Sequence, residues 1–238
     1  MDVTNPLTYL DPSPLIDSRH PDIVALAVSL AAGATNDAER AVRLHDFVRD
    51  HVAFGWAPAF DRQRASEVLQ SRIGFCNTKT TLLVALLRAA GIPARIHVVT
   101  INREILSGLI RPPTLFVDHS YAEVRLQGRW MGIDSYIVDA PLHHAAVVRC
   151  RNERRLVGYG VSVNGSIAWD GRSDCFAQFV NDGSVKNLSD EAFGSFRDFD
   201  DFRVTRRGRN PSNPLARLVV RWMTRSANRR VTELRQAG

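Results

Sequence analysis

The sequence predicts an α+β protein in which helices precede an antiparallel sheet. Three observations predict this fold class. Apolar residues recur at helical spacing before residue 90, β-branched residues make up most of 94–101, and Gln127-Gly128 separates two strand-like segments. With 238 residues, 45% of them hydrophobic and 24% charged, the chain can form a sizeable core in one large domain or two small ones.

The chain is organised around a helix predicted from Cys76 to Ala90. We expect Gly74 to permit a sharp turn before this helix, Gly91 to cap it in the left-handed conformation, and Pro93 to prevent its continuation. The apolar residues that recur at three- and four-residue spacing, and so predict one buried face, are Leu82, Leu83, Leu86, Leu87 and Ala90.

The remaining elements follow from the same kinds of pattern. Asn164-Gly165 indicates a hairpin between residues 155–163 and 166–170. The predicted helices cover 21–32, 36 to about 55, 65–70 and, with some mixed structure, 142–154, with a short one near 175–180, and the predicted strands cover 94–101, 117–126 and 129–136.

Cys76 stands at the predicted start of the central helix. Backbone N–H groups without helical partners and the positive end of the helix dipole favour a thiolate there. Those N–H groups could also hold an oxyanion. A lone cysteine is more often a small buried core residue, so a nucleophilic Cys76 requires a base and an orienting group elsewhere in the chain.

The predicted hairpin over 117–136 offers both groups. A two-residue turn pairs Leu126 with Arg129, so His119 faces Tyr136 and Asp134 lies one diagonal step from His119. That diagonal spans about 7–8 Å between backbones, which side chains can bridge. A slip of one residue would place Asp134 on the opposite face. The register therefore fits a Cys–His–Asp triad.

These blocks, in this order, resemble the transglutaminase-like superfamily of papain-related folds. The resemblance covers roughly residues 40–140 and implies a nucleophilic Cys76, with His119 as base and Asp134 on the next strand. It implies acyl transfer or hydrolysis of an amide in a peptide or protein, through a thioester and without a cofactor. The matching text is Gly74-Phe75-Cys76, Leu86 to Arg95, His119-Ser120-Tyr121-Ala122-Glu123-Val124 and Gly128 to Asp134.

Four further residues are candidates for the oxyanion or substrate site, each with an ordinary alternative. Gln70 precedes Cys76 by the spacing of a papain oxyanion donor, although an exposed glutamine on a helical turn is commoner. Trp56 would supply a backbone donor or a substrate wall, or pack under its loop. Asn77 would stabilise the first helical turn, and Tyr136 would line the cleft or cover the triad.

The sequence departs from the resemblance beside the base. Asp118 precedes His119, and Ser120 follows it where an aromatic residue is common, so Tyr121 is the candidate to replace that wall. No acidic cluster resembles a calcium loop, and the cysteines and histidines lack metal-ligand spacing, so no metal site is predicted.

Positive charge is concentrated at the carboxyl end. Residues 203–238 hold ten arginines and one acid, Glu233, a balance of +9, so the other residues carry −3 of the total +6. We expect residues 1–202 to form the domain and 203–238 an arginine-rich helical tail. Docking of this tail on its own domain is favoured over binding to nucleic acid or an anionic membrane. The tail's predicted helix covers 214–236, with apolar residues Leu215, Leu218, Val219, Trp222 and Leu234.

The first residues show no signal-peptide pattern, and no apolar run approaches the ~20 residues of a membrane helix. Cys76, Cys150 and Cys175 are too few and scattered for a disulfide framework. The sequence thus predicts a cytoplasmic cysteine enzyme. The alternative is a non-catalytic interaction module that binds a partner or an anionic surface through its basic tail.

Overall fold

The computed structural model describes residues 5–183, 189, 191–205 and 214–237, with side chains of the last helix described from residue 224 onward. The fold is α+β, as predicted. The helices are α1 (Pro21–Ala31), α2 (Asp37–His51), α3 (Ala65–Ser71), α4 (Cys76–Ala89), α5 (Ala140–Asn152), α6 (Phe199–Thr205) and α7 (Pro214–Gln236). The strands are β1 (Ala53–Phe54), β2 (Ile73–Gly74), β3 (Ala94–Asn102), β4 (Phe116–Leu126), β5 (Arg129–Ile133), β6 (Val157–Gly158), β7 (Val161–Ser162) and β8 (Ala192–Phe196).

Helix α4 is the centre of the fold and is buried on every side from Asn77 to Arg88, a wider burial than the predicted single face. Helices α1, α2 and α3 pack on one side of it, and strands β3 and β4 pack on the other. Its end is formed as predicted, because Gly91 adopts φ +78° and its N–H donates to the Arg88 carbonyl at 3.0 Å.

The main sheet is antiparallel, in the order β5-β4-β3-β8. Its β4–β5 register is the one the sequence predicted, with Leu126 opposite Arg129. Gln127 and Gly128 both have positive φ, 52° and 80°, which is the conformation of a tight two-residue hairpin turn. The register holds only as far as Ile133, because β5 ends there, three residues before the predicted end.

Two local predictions are wrong, and one strand was not predicted. The tight hairpin joins β6 and β7 through Tyr159-Gly160, whereas 166–170 forms no strand. Residues 175–180 form no helix, because Cys175 instead bridges in parallel to Ile133. Strand β8, which the sequence did not indicate, pairs with β3 at the sheet edge.

Helix α7 packs against α5 through its described half. Ala227 and Val231 are fully buried there, and Arg235 forms an ion pair with Asp139 at 2.7 Å. The predicted anchors Leu215, Leu218, Val219 and Trp222 lie outside the described side chains. Within the described residues, no helix is both long and apolar enough to cross a bilayer.

Candidate active site

Cys76 is the first residue of α4 and is half-buried. The helix starts sharply because the Phe75 carbonyl accepts from the Lys79 N–H at 2.9 Å, and the Thr78 hydroxyl accepts from the Phe75 N–H at 3.0 Å. Gly74 has no positive φ; its small size is required because a Cβ would lie 2.7 Å from Thr78 Oγ1. The first N–H groups of the helix therefore remain without helical partners beside the Cys76 thiol.

His119 and Asp134 are adjacent and buried. His119 Nε2 lies 3.2 Å from Asp134 Oδ2, and the two side chains are 3% and 0% exposed. The Cys76 side chain also interacts with the imidazole and raises the pKa of His119. Because Nε2 faces the carboxylate, Nδ1 is the ring nitrogen left for the thiol. Cys76, His119 and Asp134 thus form one continuous chain of side chains.

Three backbone N–H groups from the segment 177–179 hold the Asp134 carboxylate. Ala177 and Gln178 donate to Oδ1 at 2.5 and 3.1 Å, and Phe179 donates to Oδ2 at 2.7 Å. Such donors compensate a buried charge and fix the position of the carboxylate. This segment lies beyond the blocks that carry the sequence resemblance, and backbone donors leave no mark in a sequence pattern. Sequence reasoning therefore missed it.

Opposing effects act on the protonation of His119. Burial lowers its pKa, but the hydrogen bonds to Asp134 and Cys76 outweigh burial and raise the pKa to about 9. His119 therefore carries a proton at neutral pH. A cation between an acid and a thiol is the arrangement that stabilises a neighbouring thiolate.

The aromatic neighbour of His119 comes from the same segment that holds Asp134. The Phe179 ring stacks on the imidazole with centroids 6.1 Å apart, and the Tyr121 ring lies 6.4 Å away. Phe179 and Tyr121 also stack on each other. Tyr121 therefore occupies part of the wall for which it was the candidate, and Phe179 is an addition that the sequence did not reveal.

Ser135, the residue after Asp134, is also held in place by hydrogen bonding. Ser135 Oγ lies 2.8 Å from His45 Nε2, and His45 Nδ1 lies 2.9 Å from Asp46. His45 and Ser135 are fully buried, and burial lowers the pKa of His45, so this histidine is neutral in the core. The trio anchors the turn after β5 to α2.

Two secondary candidates lie away from the roles the sequence suggested. Gln70 is exposed on α3 and borders a different surface pocket from Cys76. Tyr136 is fully buried because β5 ends at Ile133 and the chain turns inward. Its hydroxyl lies 2.6 Å from Thr80 Oγ1 and accepts from the Ala122 N–H at 3.1 Å. Tyr136 therefore ties α4 to β4 inside the core and does not line the cleft.

The other two candidates border the cleft. Trp56 cannot donate its backbone N–H there, because Asn228 Oδ1 accepts it at 2.9 Å, so only its ring remains as a wall. Asn77 Oδ1 accepts from Ser120 at 2.9 Å and from the Cys76 thiol at 3.4 Å. Asn77 thus links α4 to the neighbouring strand β4 and does not cap the helical turn.

A cavity of about 390 Å³ opens beside Cys76 and His119. This volume falls within the range of small-molecule and cofactor pockets, roughly 300–1,000 Å³. The cavity is bordered by the loop before α3, the segment after β3, the start of β4 and helix α6, and most of its wall is apolar. Among the described residues, no group of three or more His, Cys, Asp or Glu is arranged to hold a metal ion.

The family comparison agrees with this geometry. Residues 24–135 match the model of the transglutaminase-like superfamily, a range that includes α4, β4 and Asp134. The chain thus carries a transglutaminase-like domain over these residues. This match favours a cysteine enzyme in general terms. The matched range ends before α5, so the residues that hold Asp134 and close the cavity lie beyond it.

Two solved structures are similar to this chain over part of its length. A cysteine protease candidate from Cytophaga hutchinsonii shares 22% identity over 56% of this chain, with a TM-score of 0.46. A protease candidate from Parabacteroides distasonis shares 19% identity over 53%, with a TM-score of 0.39. The chain spans 42% and 25% of their lengths. No curated protein matches the chain.

Proposed function

We propose that this protein is a thiol-dependent amide hydrolase or acyltransferase acting on peptides or proteins. The observation that carries the proposal is the position of His119, which contacts Asp134 and interacts with Cys76 at the mouth of a cavity. Cys76 is the nucleophile, His119 is the general acid and base, and Asp134 orients the imidazole and stabilises its protonated form.

The first half-reaction forms a thioester. The Cys76 sulfur attacks the amide carbonyl, so that a C–S bond forms and the carbonyl oxygen becomes an oxyanion. His119, which holds the proton that the thiol gave up, then protonates the amide nitrogen as the C–N bond breaks and the amine leaves. The oxyanion is stabilised by the backbone N–H at the start of α4 and by Asn77 Nδ2, because Asn77 Oδ1 accepts from Ser120.

The second half-reaction releases the acyl group. His119 removes a proton from the acceptor, which attacks the thioester carbonyl, and the C–S bond breaks to regenerate Cys76. Water as acceptor gives a carboxylic acid, and an amine gives a new amide. Product analysis in the presence and absence of an added primary amine distinguishes hydrolysis from transfer.

The test of the nucleophile is the alkylation rate of each cysteine with iodoacetamide as a function of pH. Cys150 and Cys175 are internal controls, since burial raises the pKa of both thiols, that of Cys150 to about 11. We expect Cys76 to react well below pH ~8 while the other two react slowly. Labelling of Cys76 no faster than in the unfolded chain at about pH 6.5 would contradict the proposal.

The His119→Asn variant is the matched test of the base. It removes the cation beside Cys76, so the labelling at low pH should be lost while the slow reactions of Cys150 and Cys175 stay unchanged. If amide turnover is absent but the intact chain binds anionic vesicles or nucleic acid through its carboxyl end, the non-catalytic module is the better description.

A further inference from the structure

We propose that the cavity beside Cys76 receives a large apolar side chain, such as Phe or Leu, next to the scissile amide. The proposal rests on the proposed function, because it assigns the substrate class of the same site. Its basis is the composition of the cavity walls and the pairing of the charges within them.

The first wall is a cluster of aromatic rings from the loop that precedes the nucleophile. Phe60 and Phe75 have ring centroids 4.9 Å apart, Trp56 stacks on Phe75 at 6.3 Å, and Phe54 meets Trp56 edge to face at 5.2 Å. All four side chains border the cavity, and Phe75 immediately precedes Cys76. An apolar group inserted beside the sulfur would therefore replace water against aromatic faces.

The second wall is aliphatic and comes from the end of β3 and the segment after it. Ile101 and Ile105 are buried, whereas Leu106 and Ile110 are half-buried and present apolar surface to the cavity. Burial of apolar surface contributes about 25 cal/mol per Å², so a large apolar group gains more here than a small or polar one.

The third wall comes from helix α6, outside the range that matches the superfamily model. Phe199 and Phe202 of α6 border the cavity and contact each other with centroids 5.3 Å apart. Both lie beyond the residues 24–135 that match the superfamily model. The family match therefore does not account for the depth and apolar character of this end of the cavity.

The charges near this end are neutralised within the protein. Arg203 forms an ion pair with Asp61 at 3.2 Å and a second one with Asp200. His119 also borders the cavity, and its partner is the Asp134 carboxylate at 3.2 Å. A charged substrate side chain would lose hydration without gaining an uncompensated partner, which disfavours acidic and basic side chains.

The test compares chloromethyl ketones that alkylate the Cys76 sulfur and differ only in one side chain. N-acetyl derivatives of Phe, Leu, Ala, Gln, Glu and Lys are compared, with iodoacetamide as the common reference. We expect the Phe and Leu compounds to react at least about 10-fold faster than those of Ala, Gln, Glu and Lys, within the range that apolar pockets discriminate. Gln or Ala reacting as fast as Phe would overturn the proposal.

Substitutions in the aliphatic wall test whether this wall produces the preference for apolar side chains. Ile110→Asp and Leu106→Asp place a charge in the aliphatic wall and should lower the ratio of the Phe rate to the Ala rate about 10-fold. Leu115→Asp is the control, since Leu115 is 53% exposed and does not border the cavity, and its ratio should stay unchanged. Melting temperatures show whether both wall variants fold. If they fold and the ratio of the Phe rate to the Ala rate is unchanged, the aliphatic wall does not produce the preference.

The two proposals fail in different ways. Absence of fast iodoacetamide labelling at Cys76 contradicts the proposed function itself. Fast labelling together with equal rates for all side chains leaves the nucleophile intact and rejects only the apolar specificity.

Discussion

His119 is the residue whose protonation governs the pH dependence of the proposed reaction. Its pKa is raised to about 9 because the hydrogen bonds to Asp134 and Cys76 outweigh its burial. The leaving amine needs the imidazolium proton, so we expect acylation by an amide substrate to fall as pH rises through about 9. Alkylation by iodoacetamide needs no acid and should not fall there. Parallel pH profiles of the two reactions test this, and an amide profile that keeps rising beyond pH 10 would exclude His119 as the acid.

Protonation of His119 also stabilises the folded state, and its raised pKa sets the pH range of this effect. The folded pKa of about 9 lies above the ordinary value of 6.5, so the contribution is fully present below about pH 6.5. It is lost as pH rises through about 9. The free energy of unfolding of the wild type relative to His119→Asn should therefore decrease between pH 7 and pH 10 in urea titrations. A difference that is constant over this range would contradict the raised pKa.

Asp134 orients His119 and also accepts three backbone hydrogen bonds, and a single substitution affects both roles. In Asp134→Asn, one carboxylate oxygen becomes an NH₂ group that faces N–H donors, whichever way the amide is turned. We expect turnover to fall by orders of magnitude, as for other orienting carboxylates, and the free energy of unfolding to fall by roughly 1–3 kcal/mol. Kinetics and denaturant titration measure the two effects. Asp118→Asn is the comparison, and a larger loss of turnover there would transfer the orienting role to Asp118.

The described half of α7 holds the segment that forms one wall of the cavity. Asn228 accepts from the Trp56 N–H at 2.9 Å and donates to the Trp56 carbonyl at 2.8 Å, and Arg235 reaches the Phe54 carbonyl. Strand β1 in turn pairs with β2, which ends two residues before Cys76. A helix far away in sequence thus positions both the aromatic wall and the approach to the nucleophile.

Asn228→Ala tests this connection. It leaves the two polar groups of Trp56 without partners and frees the loop, so we expect KM for an apolar amide substrate to rise several-fold with a smaller change in kcat. Arg229→Ala is the control, because Arg229 is exposed on the same helix. Equal KM values in Asn228→Ala and the wild type would show that α7 stabilises the fold without shaping the cleft.

For the whole molecule, the question is what the basic carboxyl end is for. Part of its charge is used internally, since Arg235 pairs with Asp139, Arg230 donates to the Leu109 carbonyl, and Arg203 pairs with Asp61. The pair of Arg235 with the buried Asp139 is bidentate, so it stabilises the docked helix together with the burial of Ala227 and Val231.

Removal of residues 214–238 should therefore lower the melting temperature and also slow amide turnover, because the truncation deletes the partners of Trp56 and Asp139. Thermal melts and kinetics of the full and truncated chains test both effects, and binding of each chain to anionic vesicles is the control. Unchanged melting and turnover together with lost vesicle binding would instead assign the helix to an external partner. Charge and periodicity alone predict only that the tail docks on the domain. The slower turnover is therefore an additional expectation, which follows from the contacts of α7.

The sequence by itself determined the features that depend on local periodicity and turn chemistry. The apolar spacing and Gly91 defined α4 and its end, and the two-residue turn at Gln127-Gly128 set the β4–β5 register as far as Ile133, the residue before Asp134. Those signals are strong because side-chain direction repeats every 3.6 residues in a helix and every two in a strand. The three proposed catalytic residues could be selected from the sequence for this reason.

Only the tertiary structure decided the rest. Tyr136 enters the core because β5 ends at Ile133, and no local pattern signals where a hairpin ladder stops. The donors to Asp134, the stacking of Phe179 on His119 and the bonds of Asn228 to Trp56 join residues 43 to 172 positions apart. Backbone donors and long-range packing carry no residue signature, because any residue except proline provides the same N–H group. Their place is fixed only when the whole chain has packed around α4.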